Sequence, residues 1–283
     1  MPTPKIPDAA GSIQKGIPMK HLLGEQSVYQ LGENISYVYS KFQIEEFAHE
    51  ALKDIEPLSL TQRASQIAHS LKDFLPGNYT KATEILLASL TPPLVKTEGN
   101  GLASMFYMPH ASFIAEYGLN SEYNAGKDPF DISMKANYEL TKRFTSEYCI
   151  RPFIIQQPER TFKVLYKWML DENLHVRRLC SEGTRPKLPW SMHIRDLVKD
   201  PSPSLPILEE LKNDNELYVR RSVANHLGDI AKDHLDLVLE ICTKWLPGAS
   251  NELKWVIRHA LRHPAKKEVK TALNLRKSAS EKI

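Results

Sequence analysis

The sequence predicts an all-α protein made of stacked helical repeats, and three observations carry that prediction. Glycine is sparse, at 12 of 283 residues. Leucine-rich amphipathic segments recur along the chain, which favours helix over sheet. A segment DENLHVRRLCSEG at 171–183 also matches DNELYVRRSVANH at 214–226, each placing Val-Arg-Arg after an acidic, asparagine-containing turn. The spacing of the two copies, about 43 residues, falls in the range of HEAT-type repeats. Such units bury their apolar faces only by stacking on neighbours, so the expected product is a curved α-solenoid with a concave surface.

In chain order, residues 1–18 are rich in Pro, Gly and small polar types and read as a flexible arm. One domain is expected over 19–275, followed by a flexible basic tail over 276–283. ISYVYSKFQIEEFAHEAL (35–52) carries apolar residues at three- and four-residue steps, as does LTQRASQIAHSLKDFLP (60–76), which stops at Pro76. YTKATEILLASL (79–90) ends before Pro92 and Pro93. The stretch from Leu94 to Asp131 reads as two long loops around the cluster Met105, Phe106 and Tyr107. Regularity returns with ISMKANYELTKRFTSEYCI (132–150), expected to end at Pro152, then with ERTFKVLYKWML (159–170) and the first repeat copy. Gly183 is suited to a left-handed helix cap, and the loop TRPKLPW that follows is braced by two prolines.

An apolar fraction of 42% is enough to fill a core at this length. The three cysteines lie far apart, with no CxxC pair, so neither a disulfide framework nor a zinc finger is expected. The N-terminus lacks a signal-type apolar core and no run approaches 18 apolar residues, which reads as a soluble cytoplasmic protein. There is no P-loop, GxGxxG or GxSxG motif, so no nucleotide cofactor is expected. His259 and His263 have i,i+4 spacing but no third ligand nearby, so no metal is expected either. Net charge is +3, unevenly spread: residues 1–176 hold 17 Lys+Arg against 20 Asp+Glu, and residues 177–283 hold 20 against 14. The excess in the second half points to an anionic partner.

On a helical wheel of about 100° per residue, Val219, Val223, Leu227 and Ile230 form one apolar stripe, while Arg221, Asn225 and Asp229 fall on a polar side at about 200–280°. The first copy repeats this, with Val176 and Cys180 inward and Arg178 and Glu182 outward. An arginine one turn before an acid is ordinarily an exposed ion pair of a few tenths of a kcal/mol. Its recurrence, the stiff loop presenting Arg185, Lys187 and Trp190, and the series Arg143, Glu147 and Arg151 at four-residue steps leave two readings open, acids that merely neutralise arginines or carboxylates held ionised in a phosphate-attracting groove, which the sequence does not distinguish.

HVRRLCSEGTRPKLPW (175–190), RPF (151–153) and YVRRSVANHLGDIAKDH (218–234) resemble the AlkC-type DNA alkylation repair glycosylases of the HEAT-repeat AlkC/AlkD superfamily. The resemblance covers about residues 40–275. It implies a right-handed α-solenoid with a concave basic DNA-binding face, acting as a monomer on alkylated double-stranded DNA without metal or cofactor. The implied activity is monofunctional hydrolysis of the N-glycosidic bond of cationic alkylated bases, 3-methyladenine first and 3-methylcytosine second, without full base flipping. The family's active-site pattern falls on Glu147, Arg178, Glu182, Trp190 and Asp229. Asp229 is expected to hold water and stabilise the sugar cation, and Trp190 to lie against the deoxyribose or lesion. Arg151, Arg177, Arg185, Lys187, Arg220 and Arg221 are the expected phosphate or positioning contacts. This sequence departs from the family in having Met-Phe-Tyr at 105–107 where a tryptophan is usual. Its 283 residues also leave no room for the immunoglobulin-like domain of some relatives, so affinity or lesion range is expected to differ.

The competing reading is a non-catalytic HEAT-repeat scaffold that binds DNA or protein, since fold alone does not establish chemistry. The position of the carboxylates discriminates: a scaffold has no reason to gather them beside arginines.

Overall fold

The structure is a computed structural model that describes residues 3–95, 101–189 and 191–281. Among them every long element is helical, as predicted, and no helix is long and apolar enough to cross a membrane. The chain divides into two compact units, residues 1–150 and 151–283.

The first unit contains α1 (Glu25–Ser36), α2 (Ile44–Leu52), α3 (Leu60–Phe74), α4 (Tyr79–Ala88), α5 (Met108–Tyr117) and α6 (Phe130–Thr141). The start of α3 is set by a reciprocal capping box between Ser59 and Gln62, and that of α4 by the Asn78 side chain. The helix predicted over 35–52 is split, because the chain turns between α1 and α2 to let them pack. Gly32 permits their close approach, since a Cβ there would sit 3.0 Å from the Ile44 side chain. The predicted loop region 94–131 contains α5, whose Met108, Pro109, His110, Ala111, Phe113, Ile114 and Tyr117 are all buried. With only the narrow strip of Ser112, Ala115 and Glu116 left partly open, the helix has little amphipathic signature to read. Phe106 and Tyr107 belong to the same core, so the Met-Phe-Tyr cluster is packing rather than exposed loop.

The N-terminal arm predicted to be flexible is tied down over residues 5–10. Asn34 donates to the Lys5 carbonyl at 2.8 Å and accepts from the Lys5 amide at 3.2 Å, while Leu102 N donates to the Ala10 carbonyl at 2.9 Å. Gly101, at φ +57°, lies so close that a Cβ would meet that same carbonyl oxygen at 2.9 Å. The helix predicted over 132–150 stops at Thr141. Arg143 and Glu147 therefore lie beyond its end rather than forming a stripe with Arg151 along one helix.

The second unit contains α7 (Arg151–Gln156), α8 (Pro158–Trp168), α9 (Leu174–Gly183), α10 (Arg195–Lys199), α11 (Leu205–Leu211), α12 (Leu217–Ile230), α13 (Leu235–Trp245), α14 (Asn251–Ala260), α15 (Arg262–Lys266) and α16 (Lys270–Ser278). Pro152 opens α7 instead of ending a helix, because its missing N–H costs nothing in a first turn. The two repeat copies supply α9 and α12. These two pack side by side, with α14 on the far flank of α12 and with α8, α11 and α13 behind them. Val219, Val223, Leu227 and Ile230 are buried as the wheel requires, each contributing about 1.5–3 kcal/mol. The tail predicted to be flexible from 276 continues α16 to Ser278. Ala279 is buried and its carbonyl accepts from Arg258, while Lys254 Nζ donates to the Glu281 carbonyl at 3.2 Å.

Candidate active site

The polar stripe of α9 and α12 is only partly open. Wedged between α9 and α14, α12 has both flanks covered, which leaves Arg221 exposed and Asn225 half-buried but buries Asp229 to 3% exposure. Glu182, at the end of α9, is 5% exposed. Both carboxylates were predicted to face solvent. Their burial requires partners, because an ion without them loses its hydration uncompensated.

Arg185 is that partner for both. Its Nε and Nη2 each lie 2.7 Å from Asp229 Oδ2, and its Nη1 donates to Glu182 Oε1. Ser222 Oγ donates to Glu182 Oε2 at 2.6 Å, Arg178 Nη2 stands 3.7 Å from Glu182 Oε1, and Lys232 Nζ donates to Asp229 Oδ1 at 2.7 Å. Burial pushes the Glu182 carboxyl up, but the charges of Arg178 and Arg185 and the Ser222 hydrogen bond outweigh it, so its pKa is lowered and the group is ionised at neutral pH. Two buried acids thus face three bases, of which Lys232 is half exposed, so the cluster carries an excess positive charge around two fixed negative centres. A carboxylate fixed in this way can stabilise a developing cation only where one of its oxygens is released from its basic partners.

Arg185 is therefore an internal bridge that positions the two carboxylates, and at 8% exposure it offers little to a phosphate. Arg151 is likewise internal. It is 0% exposed, with Nη1 donating to the Gly183 and Arg185 carbonyls at 2.9 and 2.8 Å and Nε to that of Met192 at 2.7 Å. A cation there satisfies the open carbonyls of the α9 C-terminus. Thr184 Oγ1 meets the Cys180 carbonyl at 2.6 Å, so Gly183 stays helical and no left-handed cap is needed. Arg177 grips both oxygens of Asp214 at 2.6 and 3.1 Å, stapling α9 to the turn before α12. Lys187 pairs with Asp233 at 2.6 Å. Among the expected phosphate contacts, Arg221 is the exposed one. Arg178 lies 4.9 Å over the Tyr218 ring. Glu147, in the first unit, accepts from Thr145 Oγ1 at 2.9 Å. Trp190 lies outside the described residues.

Several participants escaped the sequence. Ser222 and Lys232 lie within a turn or two of known candidates, and Lys232 at i+3 from Asp229 could have been read from DIAK. His226 could not. Its Nδ1 meets the Ser181 carbonyl at 2.9 Å behind the carboxylates, and burial, then the Arg185 charge, pulls its pKa down to about 4. A folded-state value below the unfolded 6.5 means that this contribution to stability, roughly 3 kcal/mol, is full above pH 6.5 and is lost as pH falls toward 4. Thermal midpoints measured from pH 7 to pH 5 should drop for the wild type and drop less steeply for His226→Gln. Parallel curves would place the acid sensitivity elsewhere. Nor do His259 and His263 act as a chelating pair: the His259 ring stacks on Trp255 at 4.9 Å, and its Nε2 lies 3.1 Å from Asn225 Oδ1.

The family profile of DNA alkylation repair enzymes matches residues 135–268, which include α9, α12 and the carboxylate–guanidinium bridge between them. The chain is 33% identical to Pseudomonas fluorescens AlkC, an alkylpurine DNA glycosylase solved bound to DNA containing an abasic site analog. That match has a TM-score of 0.79 and covers 92% of this chain and 68% of the other. The chain is also 37% identical over 258 residues to the uncharacterized protein YhaZ of Bacillus subtilis strain 168, covering 91% of this chain and 67% of YhaZ. The chain belongs to the AlkC-type family of DNA alkylation repair enzymes.

Proposed function

We propose that this protein is a DNA glycosylase that removes cationic N-alkylated bases from double-stranded DNA by hydrolysis, with 3-methyladenine as first substrate and 3-methylcytosine as second, and without full base flipping. The observation that carries this reading is the meeting of Glu182 and Asp229 on one guanidinium, where a scaffold would have no use for two buried acids.

The chemistry follows from the substrate's charge. An alkylated, positively charged ring leaves readily, because the electron pair of the glycosidic bond neutralises it. The positive charge then moves to the sugar as an oxocarbenium-like centre, and a fixed carboxylate lowers the cost of forming it. Asp229 is assigned that role. Its Oδ1 is held by Lys232, whose half-exposed side chain can swing away and leave the oxygen to a water. That water adds at the anomeric carbon and passes its proton to the Asp229 carboxylate, which returns it to solvent. Glu182 shapes the pocket, and Arg178 holds it in place. The roles of Glu147 and Trp190 rest on the family pattern alone.

The deciding assay incubates the purified protein with methylated duplex DNA in the presence of a chelator and measures released bases by chromatography. Release of free 3-methyladenine is expected, and its absence would leave the scaffold reading. Affinity for the duplex should fall steeply with salt, at a log–log slope of about −0.9 per neutralised phosphate. A flat titration would argue against a DNA groove.

A further inference from the structure

The repeat carries a ladder of arginine staples that lacks its last partner. Arg177 near the start of α9 and Arg220 near the start of α12 occupy the same place in the two copies, and each sends Nη1 back to a carbonyl six residues earlier, Asp171 and Asp214 respectively. Arg177 then uses Nε and Nη2 to clasp the Asp214 carboxylate of the next repeat. The turn before α14 reads Ser-Asn-Glu-Leu where the turn before α12 reads Asp-Asn-Glu-Leu, so Ser250 stands where Arg220 would find its acid. The consequence is visible: Arg220 Nε is buried and has no hydrogen-bond partner. A buried donor left in that condition is costly, and an acceptor supplied by a bound group would relieve it.

The space around it suits one. A cleft of about 740 Å³ is lined by Arg220, Lys212, Lys244, Ser250, Asp214 and Glu252, among other residues. Asp214 is spent on Arg177, and Lys212 is paired with Glu209, which leaves Arg220 and Lys244 against Glu252 at the exposed rim. The cleft also receives the first turn of α14, whose ten residues end at Ala260 and whose N–H groups add partial positive charge.

We propose that this cleft binds a phosphate oxyanion, with Arg220 as its forked donor and Lys244 as counter-charge, in the place that a third-repeat aspartate would fill. Under the DNA-repair reading, on which this assignment of source rests, the phosphate belongs to the duplex backbone. Arg220 lies nine residues before Asp229 on α12, about 13–14 Å along the helix. The site thus grips the backbone away from the reacting base.

Ser250→Asp supplies the missing carboxylate. Aspartate caps a helix as well as serine does, so the fold is kept. Inorganic phosphate titrated at constant ionic strength should raise the thermal midpoint of the wild type but not that of Ser250→Asp or Arg220→Gln. Without phosphate, Ser250→Asp should melt above the wild type. On undamaged duplex, the log–log salt slope should fall by about one in both variants. A wild-type midpoint indifferent to phosphate, or an equal rise in all three proteins, would overturn the site. A phosphate response confined to the wild type with an unchanged duplex slope would support the site and overturn the duplex as its source. None of these readings depends on base excision, so a failure of the glycosylase reading would show separately.

Discussion

If the proposed mechanism holds, replacing Asp229 with Asn should lower the rate of alkyl-base excision by about 10²–10³-fold while leaving the protein folded. The substitution keeps the shape of the side chain and an oxygen for Arg185, but removes the negative charge to which the proposed mechanism assigns stabilisation of the sugar cation. It also sets an amide donor against Lys232 Nζ, now 2.7 Å from Asp229 Oδ1. Lys232 is half exposed and can turn to solvent, so the structural cost is small and the catalytic cost dominates. Single-turnover release of free base, compared at matched thermal midpoints, measures the effect. Excision at the wild-type rate would remove Asp229 from the chemistry.

The largest effect on stability is expected at Arg151. Changing it to Met strands the carbonyls of Gly183, Arg185 and Met192, each now bonded to the guanidinium within 2.9 Å. Unpaired buried polar groups cost about 1–3 kcal/mol apiece, so the second unit should lose more than about 3 kcal/mol. Its melting midpoint should fall by roughly 10 °C, at about 2–4 °C per kcal/mol for a protein of this size. Arg151→Lys should not rescue it, because one ammonium cannot span carbonyls on both sides of the Thr184–Pro189 loop. The same change should loosen Arg185, which that loop carries, and so lower excision beyond the loss of folded protein. A melt within 2 °C of the wild type would show that the carbonyls find water instead.

What could be read from the sequence is what depends on neighbours within a turn or two. Helical class, the 43-residue recurrence and the buried stripe Val219, Val223, Leu227 and Ile230 all follow from local periodicity. The family pattern around 175–190 and 218–234 marked Glu182 and Asp229, and the structure gathers these two. Where local pattern was silent, expectation failed. The helix α5 is buried over most of its surface and reads as loop, and the stripe from Arg143 to Arg151 assumes a helix that ends at Thr141.

Tertiary structure alone decided which charges face water. Arg151, Arg185 and Arg221 look alike in a one-dimensional reading, each basic and near an acid or a proline. Contacts to residues 32–44 positions away made the first a helix-end clamp and the second a bridge between two carboxylates, while the third remained exposed. A wheel drawn for one helix shows which side is polar. Only the neighbouring helix, by covering that side or leaving it open, fixes whether a charge there meets solvent or another charge.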